Sequence, residues 1–163
     1  KSEIIKTDGK KIGVLEVPSF YVGLSKDTDK LLTELKSKNV DGVIVDLRNN
    51  GGGALTEATA LTGLFIKEGP VVQVRDSYGR IKVNADTDGK ISYDGPLTVL
   101  INRYSASASE IFAAAMQDYN RAIILGENSF GKGTVQQHRS LNHIYDLFDK
   151  ELGYVQYLSL IHI

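Results

Sequence analysis

The chain of 163 residues contains no cysteine, no tryptophan, one methionine and three prolines. Without cysteine there is no disulfide, no thiol nucleophile and no thiolate metal site. That absence is compatible with an oxidising compartment and does not establish one. Excess charge of one sign is lacking too: the formal net charge is −1, and no block of Lys or Arg occurs. Nucleic acid and anionic membrane surfaces are therefore not expected as partners. No apolar run approaches the roughly 18 residues that a membrane-spanning helix needs. The histidines His138, His143 and His162 have no metal-ligand spacing, so neither a metal nor a cofactor is expected. His138 and His143 read as surface residues of a strand or loop. The amino end shows no secretory pattern, and Lys1 stands where an initiator Met would. The sequence therefore reads as a fragment whose targeting signal is not represented.

What is present suits one globular domain. Hydrophobic residues make up 42% and charged residues 24%, and the length supports one core but not two. SEIIKT and KIGVLEV flank Asp8-Gly9-Lys10 as a hairpin. TDKLLTELKSKN places Leu31, Leu32 and Leu35 at helical spacing, predicting a helix that ends near Lys38. GVIVDL, PLTVLIN and RAIILGE read as apolar strands, the first buried on both faces. ALTEATALTGLF and SEIFAAAMQDY read as helices. VVQVRD and RIKVN predict a second hairpin around Tyr78-Gly79, and TDGKISYDG an exposed excursion. GTVQQHRSL looks extended, and residues 142–152 are ambiguous. Buried strands alternating with helices predict an α/β fold with a mostly parallel sheet, flanking helices and antiparallel hairpin additions. Ligands gather beyond the carboxyl ends of such strands, where two sharp strand-to-helix junctions fall, at residues 49–53 and 102–107.

The stretch LGENSFGKGTVQ, residues 125–136, reads in two incompatible ways. As G-x-x-x-x-G-K it imitates a phosphate-cradling loop. That motif needs Ser or Thr after the lysine and a helix starting there, whereas Gly133 follows Lys132 and Gly-Thr-Val favours a strand. Alternatively Lys132 is a base serving a hydroxyl elsewhere, or a plain surface turn residue between two glycines. NRYSASASEIF supplies the hydroxyls. Ser107 and Glu110 form S-x-x-E, a capping box, so a helix cap explains Ser107 taken alone. Three serines alternating with alanines also make a tight, small-residue turn. Such a turn can present a hydroxyl at a helix N-terminus, where partial positive charge favours an oxyanion.

Together FYVGL, DLRNNGGGALTEA, GLFI, GPVVQVRD, SASASEIFAAAMQDY, FGKGTVQQ and RSLN resemble the tail-specific protease (C-terminal processing peptidase) family of serine peptidases, in order and spacing over nearly the whole chain. The resemblance implies a ClpP/crotonase-like core. It also implies Ser107 as nucleophile, Lys132 as general base and Gln136 as the residue that orients the base. The N–H groups of Gly53 and Ala108 would form an oxyanion hole, with Gly52, Glu110 and Asp118 in supporting roles. Ser105 and Ser109 do not take the nucleophile's place. If Lys132, Thr134 and Gln136 lie in one strand they share a face. A lysine base must be uncharged, and desolvation disfavours the ammonium form. The implied substrates are proteins or peptides with apolar C-termini, with an adaptor protein as a candidate partner of the full-length enzyme. The implied location is the periplasm or cell envelope.

The sequence departs from the family in two places. Residues 1–163 would be the protease core alone, without the family's PDZ module. The carboxyl end YLSLIHI matches nothing in the pattern, which predicts a truncated end and an unpaired sheet edge. A catalytically inactive binding module of the same fold is the alternative. A Ser–His–Asp arrangement using His138 has only a shared strand face with Gln136 in its favour. An acyl-thioester enzyme of the crotonase type would need acidic residues in place of Ser107 and Lys132.

Overall fold

The computed structural model describes residues 1–141 and 153–162, apart from the side chains of residues 137–139, 157, 161 and 162. The ambiguous stretch 142–152, with His143, lies outside the described residues.

The strands form two sheets. The first contains β1 (Ser2–Thr7), β2 (Lys10–Glu16), β3 (Gly42–Asp46), β6 (Leu97–Ile101) and β7 (Ile123–Gly126), in the order β1-β2-β3-β6-β7. β1 and β2 pair antiparallel as the expected hairpin, and the remaining three pairings are parallel. The second sheet contains β4 (Gly69–Arg75), β5 (Ile81–Asp86), β8 (Thr134–Ser140) and β9 (Tyr154–His162), in the order β5-β4-β9-β8, all antiparallel. Helices α1 (Leu24–Ser37), α2 (Leu55–Gly63) and α3 (Ala108–Asp118) complete the fold.

One core joins them. Leu15, Val43, Val45, Leu97 and Val99 point from the first sheet onto Leu32, Leu35, Leu61, Ile111 and Phe112 of the helices. Alternation then explains a difference from expectation. Val43 and Val45 are buried, but Ile44 between them is only half-buried. β3 is thus covered on one face among the described residues, not on two. β7 departs further: as an edge strand it leaves Ile123 at 64% and Leu125 at 51% exposure. An apolar run of four residues does not reveal how many neighbours its strand will have.

Three other expectations change. α1 begins at Leu24, ahead of the predicted TDKLL start, because the Glu57 carboxylate on α2 accepts the N–H groups of Gly23 (2.7 Å) and Ser25 (2.9 Å). A cap supplied by another helix leaves no local signature. The excursion at residues 87–95 is not wholly exposed. Tyr93 is buried, edge-on to Phe65, and its carbonyl accepts Arg121 Nη2 at 2.8 Å. The unpaired edge expected at the carboxyl end does not fall on its last strand: β9 lies inside the second sheet, paired to β8 along Tyr154–Leu160 and to β4 along Leu160–His162, and the sheet's edges are β5 and β8.

Candidate active site

β3 and β6 are parallel neighbours, so both chains leave the sheet at the same end. That brings the two strand-to-helix junctions side by side, and amide side chains join them. Asn49 N–H donates to Asn102 Oδ1, and Asn102 Nδ2 donates back to Asn49 Oδ1, each at 2.9 Å. Asn50 is fully buried. Its Nδ2 donates to the Val17 carbonyl at 2.7 Å, and its Oδ1 accepts the Gly52 N–H at 2.8 Å. Its own carbonyl accepts Ala106 N–H at 3.0 Å and Ser109 Oγ at 2.9 Å. Asn49 takes a positive φ of 63°, which asparagine tolerates, whereas Asn50 acts through its amide, as a buried amide must.

The three serines separate by environment. Ser105 is fully buried; its hydroxyl donates to the Leu47 carbonyl at 2.8 Å and accepts Asn102 N–H at 3.0 Å. Ser109, equally buried, is committed to Asn50. Both are braces of the paired turns. Ser107 between them is half-buried and has φ 57° and ψ −113°. A helix cap ordinarily sits in the extended region, so capping does not account for this backbone. Such a conformation costs about 1–3 kcal/mol and recurs at functional sites. It is also the kind of strand-to-helix turn that lifts a nucleophilic serine into solvent.

Glu110, in the first turn of α3, gathers the distant lysine. Its Oε2 accepts the N–H of Ser107 at 2.7 Å and the N–H of Lys132 at 2.9 Å. Its Oε1 accepts the Ser129 hydroxyl at 2.8 Å and the Gly131 N–H at 2.6 Å. One carboxylate oxygen therefore holds the backbones of the serine turn and the F-G-K-G loop two hydrogen bonds apart. Phe130 N–H adds a link to the Ser105 carbonyl at 3.0 Å. Burial alone would push the Glu110 carboxyl up, but its four donors outweigh that and hold it below the usual carboxylate range. Lys132 itself is half-buried. Among the described residues no hydrogen bond joins Ser107 Oγ to Lys132 Nζ; the junction is through Glu110. A strand follows Lys132 rather than a helix, which removes the geometric basis of a phosphate loop.

The glycine turn faces the same point. Phe20 N–H donates to the Gly52 carbonyl at 2.9 Å, and Ala54 N–H donates to the Phe20 carbonyl at 2.7 Å, in a parallel bridge centred on Gly53. In that pattern the N–H of Gly53 itself points away from Phe20. Ala108 is the first residue of α3, whose opening N–H groups have no partner within the helix. Gly52, at φ 99°, lies so close that a Cβ there would come within 2.8 Å of Ser107 Cβ and 3.0 Å of Ala108 N. Gly52→Ala is accordingly expected to combine about 1–2 kcal/mol of left-handed strain with a displaced serine turn. The check is a urea midpoint lowered together with loss of Ser107 labelling by a fluorophosphonate.

Two site residues stand apart. β8 starts at Thr134, so Lys132 lies outside the ladder, and the expected shared strand face extends only over Thr134 and Gln136. Gln136 is exposed, and no hydrogen bond links it to Lys132 among the described residues. Asp118 is exposed at the last position of α3. Eight residues separate it from Glu110, about 12 Å along a helix. His138 pairs with Gln156 through its backbone, but its side chain lies outside the described ones.

The family model of peptidase family S41 matches residues 11–154. The chain is 64% identical over 152 residues to a tail-specific protease of Haemophilus influenzae, covering 93% of this chain and 22% of that protein. It is 36% identical over 132 residues to the chloroplastic carboxyl-terminal-processing peptidase 2 of Arabidopsis thaliana, covering 80% of this chain and 25% of that one. Among solved structures, the photosystem II D1 C-terminal processing protease matches with a TM-score of 0.79 and 30% identity, over 93% of this chain and 38% of that chain. The chain thus spans about a quarter of the length of these curated relatives.

Proposed function

The chain belongs to peptidase family S41, and from that premise we propose that it is the core of a serine endopeptidase with Ser107 as nucleophile and Lys132 as general base. The uncharged Lys132 amine takes the Ser107 hydroxyl proton as Oγ attacks a peptide carbonyl. The tetrahedral oxyanion is held by the N–H groups of Gly53 and Ala108. Lys132 then returns the proton to the leaving amine, and water resolves the acyl-enzyme with Lys132 again as base. Gln136 orients the lysine, which requires its side chain to turn from solvent toward the loop. Asp118, at the last position of α3 and lining one cavity with Glu110 and Ser129, supports α3. The observation that carries this reading is the shared Glu110 oxygen, which ties Ser107 and Lys132 from loops 25 positions apart.

The relatives named tail-specific and carboxyl-terminal-processing proteases support substrates that are proteins recognised at their C-terminal tails, apolar ones in this reading. An adaptor protein and a periplasmic or envelope location belong to the same proposal for the whole protein. The competing reading is an inactive binding module of this fold. A fluorophosphonate separates the two: stoichiometric modification of Ser107, with none on Ser105 or Ser109, is expected. Absence of modification in folded protein that also fails to cleave an unstructured peptide would favour the binding module.

A further inference from the structure

Asn50 reaches three segments of chain from one fully buried position. Its Nδ2 donates to the Val17 carbonyl, and its Oδ1 closes an Asx turn on the Gly52 N–H two residues on. Its own carbonyl accepts Ala106 N–H and Ser109 Oγ from the serine turn. The direction of the Gly53 N–H follows from these ties. In a planar trans peptide the C=O and N–H point to opposite sides, and no peptide bond here is cis. The carbonyl of the Gly52–Gly53 peptide is held by Phe20 N–H at 2.9 Å, so the Gly53 N–H faces the other way. Asn50 secures both ends of that arrangement, since it anchors the segment carrying Phe20 at Val17 and holds the Gly52 N–H itself. The second proposed oxyanion donor is tied to the same residue. Ala108 lies between Ala106 and Ser109, the two donors to the Asn50 carbonyl, and its N would stand 3.0 Å from a Cβ on Gly52.

We propose that Asn50 is a positioning residue of the oxyanion hole: its amide sets the direction of the Gly53 N–H, and its carbonyl sets the spacing to the Ala108 N–H. The proposal rests on the serine peptidase reading and deepens it, by naming a residue that touches no substrate yet governs how the tetrahedral intermediate is held. Donors aimed at charge that develops only in the transition state act on kcat rather than KM. Misdirecting them should do the same. A buried amide serving the core alone would instead lower stability and leave the turnover of folded protein unchanged.

The test compares wild type, Asn50→Ala and Asn50→Ser on one unstructured peptide. It adds two inhibitors: a peptide aldehyde, whose hemiacetal with Ser107 places an oxygen in the hole, and the matching peptide alcohol, which forms no adduct. Asn50→Ala removes both side-chain bonds. Asn50→Ser keeps a hydroxyl that can accept the Gly52 N–H but is one bond too short for the Val17 carbonyl. In Asn50→Ala, kcat and aldehyde affinity are each expected to fall by about 10²-fold, while KM and alcohol affinity hold within about threefold. Asn50→Ser should recover about tenfold of the loss in both. It also decides alone, by the same readouts, where Asn50→Ala does not fold. A lowered urea midpoint with kcat and aldehyde affinity unchanged overturns the proposal, and so does a loss carried by KM. Fluorophosphonate labelling of Ser107 in the wild-type chain reports separately on the nucleophile. A wild-type chain that labels and cleaves, with Asn50 variants that match its kcat, keeps the peptidase and loses this role for Asn50. A wild-type chain that neither labels nor cleaves loses both.

Discussion

Replacing Lys132 by alanine is expected to lower kcat/KM on an unstructured peptide by about 10⁴-fold or more, with no change in the far-ultraviolet circular dichroism spectrum. The first half follows from chemistry. A serine hydroxyl without a base is a poor nucleophile, and members of such a unit lose nearly all turnover when removed singly. The second half follows from geometry. The F-G-K-G loop is tied down by main-chain donors, the N–H groups of Gly131 and Lys132 on Glu110 and that of Phe130 on the Ser105 carbonyl. Truncating the Lys132 side chain leaves all three ties in place. Lys132→Arg should be as inactive as Lys132→Ala, since a guanidinium does not deprotonate in proteins. Turnover retained in either variant would remove lysine from the mechanism and direct attention to His138.

Why the sequence already pointed to this region, and where it stopped, can be argued from a few residues. Apolar runs bounded by turn residues located β3, β6 and both junctions, because main-chain propensity and burial act over short windows. Pairing did not follow from the same signal. Ile123 and Leu125 are as apolar as Val43 and Val45, yet β7 is an edge and β3 an interior strand. The position of a strand in a sheet depends on neighbours far away in sequence. The motifs pointed to Ser107 and Lys132 as residue types. Asn50 went unrecognised, since its partners are main-chain atoms of residues 17, 52 and 106 and the Ser109 hydroxyl, which no local pattern announces. Glu110 was legible as one member of a capping box with Ser107, and that box is present. Its three further donors, at positions 129, 131 and 132, exist only once the chain has folded back.

Those three donors make Glu110 the positioning residue with the largest expected effect. Glu110→Ala removes the acceptor shared by the N–H groups of Ser107, Gly131 and Lys132 and the Ser129 hydroxyl. A loss of about 3 kcal/mol or more in chemical denaturation is expected. Turnover should fall by about 10²-fold or more in the fraction that stays folded, because a shift near 1 Å between nucleophile and base has that cost. Glu110→Gln separates placement from bulk. Its single carbonyl oxygen can replace Oε2 and keep both Ser107 and Lys132, leaving the amide NH₂ against Gly131 N–H and the rotatable Ser129 hydroxyl. It should therefore recover most of the turnover and only part of the stability. Acid gives the same result without mutation. The folded carboxyl is held below the ordinary glutamate value of 4.5, so between the two values the unfolded chain binds the extra proton. Stability from this group is then present above pH 4.5 and lost as pH falls through the folded value. The wild-type denaturation midpoint should drop across that window, and that of Glu110→Gln should drop less. Equal pH dependence in the two proteins, or a Glu110→Ala chain with full turnover, would mean that Ser107 and Lys132 are held together by something other than this carboxylate.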